Sequence, residues 1–128
     1  MRALALLLLL SGCSWGPAVF DCDEEMAKVG MAEAIHRWPD VEPVVQRLDV
    51  FCVSRFDIQS IAYCGRSGAR DIDACTMKIG SSLGRARIYV ADDVPVDAAV
   101  VHEMQHAHLW GEPDACASHS PACGWEEL

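Results

Sequence analysis

The 128-residue sequence has no apolar run long enough to cross a bilayer. The longest, residues 3–10, has eight residues where a spanning helix needs about 20. Basic clusters are also missing. Ten Lys and Arg stand against 19 Asp and Glu, for a net charge of −9, and no basic face for nucleic acid can be assembled from them. No heptad or glycine repeat runs through the chain, which excludes coiled-coil and collagen-like classes. A hydrophobic content of 52% argues against disorder. No paired C-x-x-C occurs, so neither a zinc ribbon nor a dithiol redox motif is present.

What is there begins with Met1-Arg2, the short apolar run, and Leu10-Ser11-Gly12-Cys13. One positive charge, a short apolar core and a small-residue cleavage site make an export signal over residues 1–12. The last four residues resemble a bacterial lipobox, in which the cysteine sulfur is acylated and the preceding peptide removed. That resemblance implies a lipid anchor at Cys13 in a bacterial cell envelope. With Ser14 rather than Asp following, it points to the outer membrane. The 116 residues that remain suit one domain that buries about two-thirds of its unfolded surface. Without Arg2, nine basic residues face 19 acidic ones. The expected organisation is a signal at 1–12, a tether at 13–20 and a single domain at 21–128.

Seven cysteines are an odd number for an exported protein, and acylation of Cys13 leaves six. Six are compatible with three disulfides in an oxidising compartment. Fifteen pairings are possible. Local geometry ranks Cys64–Cys75 across a turn-rich loop, Cys116–Cys123 across a short step, and Cys22–Cys52 between the first helix and the next strand.

The fold class expected is α+β. Asp21 or Asp23 can cap a helix that runs to about Arg37, with Met26, Val29, Ile35 and Trp38 near helical spacing and Pro39 as its stop. Residues 44–53 read as a β-strand, residues 58–64 and 75–79 as weaker ones. Residues 85–91 alternate charged and apolar side chains as a half-exposed or edge strand does. Pro95 and Asp97 open a second long helix that reaches Leu109 or Trp110 and is closed by Gly111 and Pro113. The tail, 112–128, reads as irregular and disulfide-bonded.

That second helix contains His102-Glu103-Met104-Gln105-His106. Residues four apart share a helix face, so two imidazoles can grip one metal ion with Glu103 beside it. Chance gives the pattern in about one of eighty shuffled chains of this composition, so its place on a helix just after a strand carries weight. The segment resembles the active-site helix of the zincin metallopeptidases over roughly residues 85–119. The resemblance implies a minimal zincin-like fold, Zn²⁺ on His102 and His106, Glu103 as general base, a peptide or protein substrate, and an extended substrate laid along the strand at 87–90. It departs from the metzincin group, whose further glycine and histidine are Leu109 and Glu112 here, and no methionine follows Met104. The gluzincin group takes a glutamate from a downstream helix. Glu126 lies at a feasible distance, but residues 124–128 are too few to make that helix.

A third ligand is still needed. Glu112, Asp114, His119 and Glu126 are the candidates. His119 is expected, because thirteen residues after His106 allow a turn out of the helix and a return, and Cys116–Cys123 would pin that loop. Asp114 could then orient a histidine. His36 and His108 read as surface residues, the four tryptophans as packing, Asp92-Asp93 as a turn, and Tyr63 or Tyr89 as oxyanion candidates. The competing class is a non-enzymatic envelope lipoprotein whose metal site is structural, zinc-carrying or degenerate. Such a site would need His102 and His106 but not Glu103.

Overall fold

The computed structural model describes residues 19–20, 22–61, 72–79, 84–110, 119 and 121–128. The expected Cys64–Cys75 and Cys116–Cys123 bridges, the signal segment, Tyr63, Glu112 and Asp114 fall wholly or partly outside them.

The fold is α+β. A two-residue strand β1 (Val19–Phe20) precedes helix α1 (Glu24–Arg37), a helical turn α2 (Val41–Val44), strand β2 (Arg47–Val53) and a second helical turn α3 (Arg55–Ile58). Strands β3 (Ala74–Ile79) and β4 (Arg85–Ala91) follow, then helix α4 (Val96–His108) and a 3₁₀ turn at Pro121–Cys123. Asp23 caps α1, its carboxylate accepting the Met26 N–H at 3.2 Å, and Glu24 and Glu25 occupy the positive first turn. Cys22 and Cys52 form the expected disulfide, with Cα atoms 5.2 Å apart. Cys75 is also disulfide-bonded.

The four strands are ordered β1-β2-β4-β3. β2 and β4 run parallel, from Arg47 opposite Arg85 to Val53 opposite Ala91, while β1 and β3 flank them antiparallel. β4 is therefore a central strand, not the edge expected from its alternation. Ala86, Ile88 and Val90 are fully buried in the main core with the helices, while Arg85, Arg87 and Tyr89 alternate with them and are half-buried. Alternation reports which face is covered and says nothing of lateral pairing. The edge strand on that side is β3, which packs against α4 and pairs, among the described residues, only with β4.

Two further expectations are corrected. Residues 44–53 do not all form a strand, because Val41–Val44 closes a helical turn first, and the Gln46 and Arg47 N–H groups bond to the Gly84 carbonyl. The weaker strand expected at 58–64 is not formed over its described part. Ile58 ends the helical turn Arg55–Ile58, residues 59–61 are turn and bend, and 62–64 lie outside the described residues. Ser54 caps the helical turn by accepting the Asp57 N–H at 3.0 Å. Arg55 then forks to both Asp93 oxygens at 2.8 and 2.9 Å and reaches Asp73 at 2.9 Å, fastening α3 to the turn before α4 and to the approach of β3.

Helices α1 and α4 lie against each other on one face of the sheet. The α1 seam is Gly30, Ala34 and Trp38, one position per turn, while Val29 points to solvent. A Cβ on Gly30 would stand 2.6 Å from the Asp97 carbonyl oxygen and 2.8 Å from the Val100 Cβ. The two helices thus meet at a point only glycine allows.

Candidate metal centre

The α1 and β4 contacts settle how α4 is rolled. Val100, Met104 and Ala107 face the core, and that rotation brings His102 and His106 to the rim, half-buried. His119, far along the chain and exposed, returns to the same place. Its Nε2 lies 3.0 Å from the His106 Nε2, and ring centroids are 4.9 Å from both His102 and His106. One nitrogen from each of the three imidazoles lies within 4.8 Å of the others. The expected third histidine is thus brought to the other two. Of its rivals, Glu112 and Asp114 lie outside the described residues. Glu126 is tied to α4 through its backbone, its carbonyl accepting the Gln105 Nε2–H at 3.2 Å, and its carboxylate is not among the groups that gather with the triad in the described residues.

The chemistry of this triad fits a cation. Two ligands about 2.0–2.1 Å from one tetrahedral ion sit about 3.3 Å apart, close to the separation of the His106 and His119 nitrogens. Imidazoles bind metal only when neutral. Burial, and then the nearby His119, holds His102 below the usual histidine range, with Asp73 and Glu127 opposing. Burial does the same to His106, assisted by His119 and His102, and takes it down to about 4. Both therefore present a lone pair at neutral pH. These three histidines could hold a metal ion.

Glu103 sits next to them in a different environment. Its side chain is 4% exposed and points toward β3, where Thr76 Oγ1 donates to Oε2. Its Oε1 is 3.9 Å from the His102 Nε2. Burial pushes the carboxyl up to about 7, against hydrogen bonds from the Thr76 hydroxyl and backbone. Among the described residues no Lys or Arg pairs with it. A buried carboxyl poised near neutrality can both take and give a proton.

The remaining histidines have other partners. His108 Nδ1 lies 2.7 and 2.8 Å from the two Asp40 oxygens and its ring stacks on Trp38, away from the triad. His36 is exposed. Tyr89 stacks on Phe51, accepts a hydrogen bond from Arg87 and packs with Val53 and Ile58 in an apolar cluster separate from the one that holds Ile88 and Val90. Three residues near the triad carried no signal in the sequence that was used. Thr76 shows only as an alternate position on a short strand. Gln105 is fully buried on α4. Trp125 is buried although its neighbours Gly124 and Glu126 are exposed, and its ring centroid lies 5.0, 4.7 and 4.3 Å from those of His102, His106 and His119. A single large aromatic amid polar residues at the end of the chain was the clue.

No family model, curated protein or solved structure matches this chain.

Proposed function

We propose that the protein is a zinc-dependent metallopeptidase of the bacterial cell envelope, held at the outer membrane by lipid on Cys13. His102, His106 and His119 would hold the ion, three nitrogen ligands being the count that leaves a catalytic position open. Bound zinc would supply a Lewis acid that acidifies water and polarises a peptide carbonyl. Glu103 accepts the proton of the attacking water on Oε1, while Thr76 keeps Oε2 and fixes the carboxyl's rotation. The same oxygen then delivers the proton to the departing amine. An extended peptide backbone would add to the outer edge of β3, which passes Glu103 through Thr76.

The observation that carries this reading is Glu103 itself. A carrier or structural site has no use for a carboxyl buried beside the ligands without a cation, an arrangement that is unfavourable to folding. The test is a digest of a diverse peptide library by zinc-loaded protein. Cleavage is expected to stop on chelation, return with zinc, and stay at background in Glu103→Ala with zinc still bound. Cleavage retained in Glu103→Ala removes the general-base role, and no cleavage by the zinc-loaded wild type favours the non-enzymatic lipoprotein. No helix among the described residues is long and apolar enough to cross a membrane. Palmitate label lost in Cys13→Ser is the result expected of the lipid anchor, and label retained there refutes it.

A further inference from the structure

We infer that the C-terminal segment belongs to the metal centre, with Trp125 as a positioning residue for all three imidazoles and Gln105 as the residue that holds Trp125 in place. This rests on the proposed metal-binding role of His102, His106 and His119.

The indole is not stacked on any one ring. Its planes to His102, His106 and His119 differ by 67°, 39° and 40°, at centroid distances of 5.0, 4.7 and 4.3 Å. It is a wedge in contact with the whole triad, so none of the rings can swing through the indole's place without displacing it. His119 depends on it most. His102 and His106 are carried by a helix, whereas His119 is exposed on a bend, and its ring contacts among the described residues are the other two histidines and Trp125. Trp125 is the nearest of the three.

Gln105 explains why the indole stays. It is fully buried on α4, next to His106, and its Nε2 donates to the carbonyl of Glu126, the residue that follows Trp125. Its Oε1 has no partner among the described residues. A buried acceptor without a partner is unfavourable, and a methionine would fill similar space without it. What the amide contributes is the tie between the ligand helix and the residue after Trp125. Ligand-supporting groups of this kind govern metal affinity by about 10–100-fold.

The experiment is competition titration of Zn²⁺ against a chromophoric chelator, with the visible spectrum of the Co²⁺-substituted protein as a second readout. Trp125→Ala is expected to weaken zinc binding by about 10–100-fold and to reduce the intensity of the tetrahedral Co²⁺ bands. Trp125→Phe should recover most of both, because a smaller ring still wedges the triad. Gln105→Met should weaken zinc binding by about tenfold while the metal-free protein melts no earlier than wild type. That split between affinity and stability is something mere core filling does not produce. Wild-type zinc affinity and an unchanged Co²⁺ spectrum in Trp125→Ala, or in Gln105→Met, overturn this inference alone. Wild-type protein that takes up neither ion overturns the metal reading, and this inference with it.

Discussion

Gly30 is the position where a single methyl group should decide whether α4 stays in register with α1. In a helix interior alanine is favoured over glycine by about 1 kcal/mol, so propensity alone makes Gly30→Ala stabilising. The structure opposes this. The new Cβ would meet the Asp97 carbonyl oxygen at 2.6 Å and the Val100 Cβ at 2.8 Å, and carbon atoms in good contact are about 3.5–4.0 Å apart. Neither neighbour is the free end of a flexible side chain, so the helices must separate by close to 1 Å. Overpacking of this kind costs about 1–3 kcal/mol, more than the propensity gain over most of that range. Taking the middle of that range, about 2 kcal/mol, against the gain of about 1 kcal/mol, the net expectation is a loss of about 1 kcal/mol, or roughly 4 °C in Tm for a domain of this size. Urea unfolding of the metal-free protein measures it, with Ala32→Gly on the exposed face of α1 to calibrate propensity in the same helix. Gly30→Ala as stable as wild type, or more stable, refutes the close approach and with it the roll of α4 that sets His102 and His106 at the rim.

Three further outcomes are expected. The carboxyl of Glu103 is raised from 4.5 to about 7 in the folded state. Between those values the unfolded chain binds fewer protons at this group, so its contribution to stability falls as pH rises and the loss is complete above about pH 7. In metal-free protein, Glu103→Gln should therefore gain about 3 kcal/mol on wild type between pH 4 and pH 8, and a difference independent of pH contradicts the burial of a free carboxyl. Replacing both Cys22 and Cys52 by Ala opens a loop with a separation of 30 residues. The loss should be about 3–4 kcal/mol by chemical denaturation without reductant, and no loss would mean the bridge does not constrain the unfolded chain. His119→Ala should weaken zinc binding by orders of magnitude, as should His102→Ala, with Asp114→Ala and Glu112→Ala doing less; full affinity in His119→Ala with loss at either carboxylate moves the third ligand there.

Much of this arrangement was legible because the responsible signals are local. Asp23 caps α1, and His102 and His106 share a face once α4 is a helix. The return of His119 was legible only as spacing. What was not legible depends on partners distant in sequence. Alternation along β4 marks a covered face, yet whether that strand lies at an edge or in the centre is set by where β3 and β2 dock. The apolar Val29 fits a helical stripe on paper, but the seam chosen is the one where Gly30 and Ala34 let α4 come close. Ser54 with Asp57 is a capping pattern that overrides the strand-like residues after it. Trp125 reads as packing, and it does pack; what it packs against is the histidine triad, brought beneath it by the docking of the chain's end through Gln105.

The central claim is that His102, His106 and His119 hold a metal ion with one position left open beside Glu103. X-ray absorption at the zinc edge of the purified, zinc-loaded protein tests it most directly. Three imidazole nitrogens at about 2.0–2.1 Å and one exchangeable oxygen is the result expected, reduced to two imidazoles in His119→Ala. A sulfur scatterer at about 2.3 Å, or a closed shell of four protein ligands, contradicts it.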